Sequence, residues 1–598
     1  MSRTNRARLA AGCLLGAAII FFAGLGRPPL FEPDEGRYAE VAREMLLRSD
    51  LVTPRNDFVR YFEKPPLVYW TTAAALRVCG HNEFAVRMQA ALFSAGEVAI
   101  TADLGAAMFG LTAGLLGGLA LALSPLFFAF ARFATPDPAL AFFITAGLAS
   151  FWYAARSPGF AARRARLLML AAAGMLALGT LAKGPVALAL AGAIALAWLI
   201  AQRRARDAIR LPWLGCVAVY LAIAAPWFAL AAYRNPGFLE FFFVHEHLHR
   251  YLANNEHQWG PWFFIPVVIG GAWPWIFFAP IGIVAMRELD AGAASAADTS
   301  ADAHADVAGG RPQLRAAILY LELWFAIIFI FFSIPSSKLG EYILPAMPPL
   351  AILCGLGLER FARMPRWRAR RIAAAFALIN LALVVAVTVA AYAIRAPVVA
   401  TLRRDALAAA AALASGALAA FVITGRRRDR PAAWTLAAPL AIGAIVALGA
   451  LAKAREDAAP FTSYRGISRV ISPYLGVGCV LASYHHQIQA LPFYTGVREV
   501  LVGYRGELAP FGDSPDAAPI FLATDPRLAQ VWRARSCVIV IANRADVPHL
   551  RNLLMPAPSI IGCEGKKIAL FNRPVRWFPA PPPACAGEFA TSDGNPAK

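Results

Sequence analysis

The sequence predicts an α-helical polytopic membrane protein of about thirteen transmembrane helices, followed by a small C-terminal α/β domain outside the membrane. Three observations predict it. Of the 598 residues 59% are hydrophobic and only 16% charged, and mean hydropathy is +0.54, too apolar for a soluble globular chain. The apolar residues fall in runs near the roughly 20 residues that a helix needs to cross the hydrocarbon core. Arginines cluster in short groups between alternate runs, as the positive-inside rule requires.

The candidate spans are 9–26, 84–108, 112–131, 138–155, 166–182, 185–201, 212–231, 262–285, 316–333, 342–358, 372–391, 406–424 and 433–451. The stretch 65–80 is also apolar and suits a further span or an interfacial segment. With the N-terminus inside, the inner loops hold Arg3, Arg6 and Arg8, then Arg156 to Arg166, Arg203 to Arg210, Arg287 to Arg315, Arg360 to Arg371 and Arg426 to Arg430. An odd number of spans leaves the C-terminal tail outside. The first span has the basic start of a signal peptide, but no clear A-x-A site follows, so an uncleaved anchor is expected. Residues 1–453 thus form the membrane domain, with a first outer loop at 27–83. A cytoplasmic insert occupies 287–315, where the Ala/Asp/Ser-rich stretch Asp290–Gly310 reads as disordered.

The formal charge of +20 is accounted for by these topology signals. No arginine-rich segment is interleaved with aromatics in a polar context, which argues against a nucleic-acid partner. Beyond about residue 454 short β-rich runs appear (VGCVLAS, VREVLVGY, APIFLAT, CVIVIAN, KIALFN), with a helix expected near Pro526–Ala534. They predict an α/β domain over 454–580 and a disordered tail over 581–598. Cys479, Cys537, Cys563 and Cys585 lie in this region, where disulfides are permitted but their pairing is not legible. Cys13, Cys79, Cys216 and Cys354 lie in or beside apolar segments and read as small core residues.

The first outer loop carries the densest chemistry: FEPDEGRYAEVAREML followed by NDFVRYFEKPPLVYW. From Glu35 to Met45 the spacing suits an amphipathic helix on the membrane surface, with Pro33 near its start and Asp34 as a cap. One reading makes the carboxylates a solvated helix face. The other makes Asp34, Glu35, Glu40, Glu44 and Glu63, with Lys64 beside it, an interfacial cluster for metal, sugar or acid–base work.

PDEGRYAEVAREML and RYFEKPPLVYW resemble the first-loop signatures of bacterial lipid-linked aminoarabinose transferases, GT-C enzymes related to the protein O-mannosyltransferases. The resemblance extends to ATPDPA around Asp137, LAKGP around Lys183, HEHLHRY, and SKLGEYILPAMPPLA. It implies a GT-C fold with surface helices in the first loop and a periplasmic C-terminal domain. It implies catalytic roles for Asp34, Glu63, Lys64 and Asp137. Around the carrier phosphate it implies Lys64, Arg250 and Tyr342, with Arg37, Tyr38, Tyr61, Lys183 and Lys338 as further contacts. Glu63 and His245 would hold a divalent metal (Zn, Mg or Mn); no organic cofactor is implied. The implied reaction is inverting transfer of 4-amino-4-deoxy-L-arabinose from undecaprenyl phosphate to a lipid A phosphate, at the periplasmic face of the inner membrane, by a monomer. Such a modification of lipopolysaccharide underlies polymyxin resistance. The alternatives are another polyprenyl-phosphate sugar, a protein or glycan acceptor, or a non-enzymatic lipid-carrier transporter.

Lysine use adds an independent hint. The chain has seven lysines among its 57 basic Lys and Arg residues, and Lys64, Lys183 and Lys338 fall at outer ends of expected spans. A compact ammonium there suits a phosphate or a buried carboxylate; the alternative is snorkelling. HEHLH also matches H-E-x-x-H through His245, Glu246 and His249, the zinc-protease pattern, but no third-ligand motif follows. A secondary transporter would place ionisable residues inside spans, often in repeated halves. Here the unusual charges lie in loops.

Overall fold

The computed structural model describes residues 3–249, 258–298, 310–426, 433–512 and 517–575. Every expected span is helical. Among the described residues ten helices are long and apolar enough to cross a membrane, and two bent pairs bring the number to as many as twelve. The bent pairs are Leu111–Ala122 with Pro125–Ala131 (64°) and Pro261–Gly271 with Trp275–Glu288 (99°). Each break has a proline, which supplies no N–H and pushes the preceding residue out of the helical region. The expected span at 185–201 is the shorter helix Val186–Ala201, and the stretch at 65–80 is the helix Leu67–Cys79.

The chain divides into two compact units. One comprises Met1–Leu25, Glu63–Val68 and Arg87–Ala454; the other comprises Gly26–Phe62, Tyr69–Val86 and Arg455–Lys598. Most of the first outer loop therefore belongs with the C-terminal α/β region rather than with the helices that flank it in sequence.

The helical unit is closed by glycine. A Cβ on Gly355 would lie 2.4 Å from the backbone nitrogen of Gly117, and one on Gly357 would lie 2.0 Å from the Phe278 carbonyl oxygen. The helices Leu111–Ala122 and Met347–Arg363 thus meet backbone to backbone, the small-residue packing by which helices associate without a hydrophobic driving force. Buried polar groups are spent on helix ends. Arg132 donates to the carbonyls of Phe21 (2.8 Å) and Ala23 (2.6 Å), satisfying acceptors where the first helix stops. Of the insert expected to be disordered, residues 290–298 continue the helix Ala279–Asp298, a correction that its alanine content explains. Residues 299–309 of that insert, and the tail at 581–598, lie outside the described residues.

The second unit is built on a six-stranded sheet. Its strands are β3 (Val480–Tyr484), β4 (Glu499–Val502), β5 (Phe521–Leu522), β6 (Val538–Asn543), β7 (Ser559–Glu564) and β8 (Lys567–Phe571), and their order is β5-β4-β3-β6-β8-β7. The first four in that order are parallel and the last two antiparallel to their neighbours. Alternate residues bury on opposite faces: Ala482, Val540 and Leu570 on one, Leu481, Ile539, Ile541 and Ala569 on the other. That period of two is what made the runs legible. The strand Ser559–Glu564 was not anticipated, and the expected helix appears as Asp525–Ala534. Cys479 and Cys537 form a disulfide.

The loop segment supplies a short hairpin, β1 (Arg55–Asn56) with β2 (Val59–Arg60), turned at Asp57 and Phe58, both at positive φ (51° and 68°). Two left-handed residues make the twist that a tight hairpin needs. Phe58 tolerates it because Glu44 accepts its N–H at 2.9 Å and Arg48 and Arg498 lie over its ring at 4.9 and 5.1 Å. Gly36 lets the loop helix Asp34–Arg48 pack against the backbone at Ala490: a Cβ there would lie 2.5 Å from the Ala490 nitrogen. Gly→Ala in a helix normally stabilises by about 0.5–1 kcal/mol. Gly36→Ala is expected to reverse that sign and lower the thermal midpoint, at a cost of about 1–3 kcal/mol. Gly12→Ala, which meets nothing within 4 Å, is the control in the same thermal-unfolding measurement.

Candidate active site

The loop helix runs over Asp34–Arg48, as the spacing predicts, but its charged face is not solvated. Glu35, Glu40 and Glu44 are buried at 0%, 0% and 1% exposure. Each has a partner within the unit: Glu35 pairs with Arg455, Glu40 with Arg43 at 2.6 Å, and Glu44 accepts the Phe58 N–H. Glu35 also reaches back to the Phe31 N–H at 2.9 Å, closing the start of the helix. Asp34 is not the cap expected of it. Pro33 holds that position, Asp34 is the first helical residue, and its carboxylate pairs with Arg37.

Arg37 is the centre of the cluster at the start of the loop helix. Its guanidinium lies between Asp34 and Glu507 and over the Tyr38 ring at 5.6 Å. Tyr61 donates to Glu507 at 3.3 Å, and Tyr38 stacks on Tyr69 at 5.7 Å. Sequence places Arg37, Tyr38 and Tyr61 around a carrier phosphate; the structure gives Arg37 two carboxylates, and buries Tyr38 and Tyr61. Asp34, with a side chain 37% exposed, is the loop-helix carboxylate left partly open to solvent. Glu507 and Glu32 were missed in the sequence. Glu32 accepts the N–H groups of Gln489 (3.2 Å) and Ala490 (2.5 Å), a bond across more than 450 residues that no local pattern reveals.

The helical unit holds the other expected residues. Lys64 donates to the Glu63 carbonyl at 3.0 Å and to Glu246 at 3.2 Å, and both side chains of that pair remain partly exposed. Glu246 lies on a π-helical turn, Glu240–His249. An i→i+5 ladder lacks the i, i+4 face that the H-E-x-x-H reading needs, and the Glu that would act as base is held by Lys64. Asp137, Lys183 and Tyr342 come together: Lys183 pairs with Asp137 and lies 4.3 Å from the centroid of the Tyr342 ring. Lys183 is therefore the partner of a buried carboxylate, not a snorkelling cation. Lys338 is buried and donates to the carbonyls of Trp259 (3.0 Å) and Pro335, committing two of its three donors to a loop rather than to an open phosphate site. Arg250 lies outside the described residues.

His245 is exposed and stacks on Phe241. Among the described residues no group of three or more His, Cys, Asp or Glu side chains is placed to hold a metal ion. Glu63 and His245 alone do not make such a set.

Two predictions follow from these pairings. Lys183→Met leaves Asp137 charged and buried without its partner and is expected to cost about 3–5 kcal/mol of stability. The Lys183→Met, Asp137→Asn double variant should recover most of the lost thermal midpoint. The second concerns the sheet unit, where burial pushes Glu32 and Asp57 up to about 8 against the opposing N–H bonds from Ala490 and Glu499. Burial likewise raises Glu44 and Glu499. Folded carboxyls that hold protons more tightly than unfolded ones contribute stability fully present below the unfolded pKa and lost as pH rises through the folded one. Resistance of this unit to limited proteolysis should accordingly fall between about pH 5 and pH 9. Asp57→Asn keeps the acceptor, suits the left-handed backbone, and should flatten part of that slope.

Comparison with known proteins fits this architecture. A family model described as dolichyl-phosphate-mannose-protein mannosyltransferase matches residues 29–242. The undecaprenyl phosphate-alpha-4-amino-4-deoxy-L-arabinose arabinosyl transferase of Enterobacter sp. (strain 638) is 31% identical over 356 residues, 59% of this chain and 60% of that protein. The enzyme of the same name from Shewanella sediminis (strain HAW-EB3) is 32% identical over 347 residues, 57% of this chain and 58% of that protein. The matched stretch thus spans about 60% of the length of these curated relatives. The crystal structure of ArnT from Cupriavidus metallidurans bound to undecaprenyl phosphate corresponds over 96% of this chain and 99% of that one, with a TM-score of 0.80 at 27% identity. In sequence this chain is similar to undecaprenyl phosphate-aminoarabinose arabinosyl transferases, and in fold it is similar to ArnT.

Proposed function

We propose that the chain is a glycosyltransferase that moves 4-amino-4-deoxy-L-arabinose from undecaprenyl phosphate to a lipid A phosphate. It would act as a monomer at the periplasmic face of the bacterial inner membrane. The observation that supports this reading is the correspondence over nearly the whole chain with ArnT bound to undecaprenyl phosphate.

The chemistry asks little of a general base. The acceptor phosphate oxygen is already anionic; it bonds to the anomeric carbon as the carbon–oxygen bond to the carrier phosphate breaks. The bond pair leaves on that phosphate, which passes from diester monoanion to monoester dianion, and the configuration inverts. The site must hold the growing charge. In this proposal Lys64 does so, its ammonium passing from Glu246 to the phosphate, and Arg250 adds a second positive charge. Asp34, partly open and fixed by Arg37, supplies a negative charge suited to the ammonium group of the aminosugar. Asp137 and Lys183 hold the Tyr342 ring in place.

The test is mass spectrometry of lipid A from cells carrying the wild-type gene, the deletion, Lys64→Ala and Asp34→Asn, with protein levels verified. The expected result is an aminopentose on lipid A in the wild type, absent from the deletion, with each variant reduced roughly 100-fold or more. Wild-type modification by both variants would remove these residues from the site, and modification by a different mass would replace the sugar. The expected divalent cation at Glu63 and His245 is checked by assaying transfer after EDTA treatment and after readdition of Zn, Mg or Mn. Recovery on readdition is the result it requires.

A further inference from the structure

A cavity of about 450 Å³ opens in the helical unit among residues that the transfer reaction does not use, and Arg6, Arg156 and Arg164 line it with Tyr153 and Ser157. Its lining contains no carboxylate, and Leu168, Ala165 and neighbouring alanines form an apolar wall. It belongs to the arginine-rich ends of the helices, which the charge distribution assigns to the cytoplasmic face.

The surrounding cations divide into two kinds. Arg6 is fixed, donating to the Tyr153 hydroxyl at 2.9 Å and lying 3.7 Å from Asp103, which Tyr153 also contacts. Nearby, Arg204 is held by Asp207 and the Ala155 carbonyl, both at 2.8 Å, and Arg210 lies 3.9 Å from Asp207. Arg156 and Arg164, by contrast, have no hydrogen-bond or ion-pair partner among the described residues. Arg164 lies in the first turn of the helix Arg163–Lys183, which contains no acid, so the helix dipole adds to its charge instead of offsetting it. An Arg6–Tyr153 floor, held from behind by Asp103 outside the lining, two unpaired guanidiniums, the Ser157 hydroxyl and an apolar wall match a phosphodiester bearing hydrocarbon. Basic pockets between helices on the cytoplasmic side take lipid headgroups on this principle, and guanidinium favours phosphate through its planar donor pair.

We propose that this cavity binds the phosphate headgroup of an anionic phospholipid of the inner leaflet, separately from the carrier lipid that the proposed transfer uses. The apolar wall favours a lipid over free phosphate.

The test is native mass spectrometry of the purified full chain titrated with phosphatidylglycerol, cardiolipin or phosphatidylcholine. The wild type and Arg156→Ala/Arg164→Ala are compared, with Arg163→Ala as the control outside the lining. The expected result is retention of the anionic lipids over phosphatidylcholine, weakened roughly 25-fold in the double variant and unchanged in the control. Arg156→Lys/Arg164→Lys guards against a folding defect and should restore part of the binding. Equal retention by wild type and double variant, or no preference for anionic lipid, would overturn the proposal. Competition by millimolar inorganic phosphate as effective as that by lipid would overturn the lipid assignment in favour of a free anion.

Discussion

Burial of the first loop's carboxylates is the constraint on which the rest of this structure depends. Glu32, Glu35, Glu40 and Glu44 are drawn from about a dozen residues, and all lose water on folding. An unpaired buried carboxylate is untenable, so each requires a donor, and for Glu32 and Glu35 the donors lie more than 400 residues later. The loop consequently folds with the C-terminal sheet as one unit. Asp34 inherits its position from this arrangement: Glu35 anchors the first turn through Arg455, and Arg37, shared with Glu507, holds the carboxylate. A surface helix that needed only an amphipathic pattern would leave Asp34 free to move.

The helical unit solves a different problem. Lipid gives its helices no hydrophobic reason to associate, and it relies instead on glycine seams such as Gly117 against Gly355 and on polar groups that find partners inside. Asp137 with Lys183 is the clearest case, and Arg132 at the end of the first helix is another. Both arrangements use ionisable residues for architecture close to where chemistry is proposed. An argument from residue type alone would therefore assign too many of them to phosphate.

That difference marks how much was legible in the sequence. Span positions, the loop helix and five of the six sheet strands follow from apolar length and from periods of 3.6 and 2, which are local properties. Strand Ser559–Glu564 was missed because Gly562 interrupts its apolar run SIIGCE, where the pairing with β8 is also irregular. The candidate site was only partly legible. The motifs isolated Asp34, Lys64, Asp137 and Lys183, yet nothing near them in sequence announces Glu507 or Arg455 as partners, since those contacts are set by tertiary folding. Lys338 was misread because its position at a span end looked like that of Lys64, while its ammonium closes a loop through backbone carbonyls.

The proposed reaction needs a fixed positive charge where the carrier phosphate gathers electrons and a fixed negative one for the aminosugar. In this proposal Lys64 and Asp34 take these tasks. The most direct measurement is transfer by the purified chain in detergent or nanodiscs, given undecaprenyl-phosphate aminoarabinose and lipid A, with both lipids followed by mass spectrometry. The account predicts aminopentose-bearing lipid A together with free undecaprenyl phosphate in equal amounts. Donor bound, or carried across the bilayer, with no sugar reaching lipid A would contradict it and make the chain a carrier rather than a transferase.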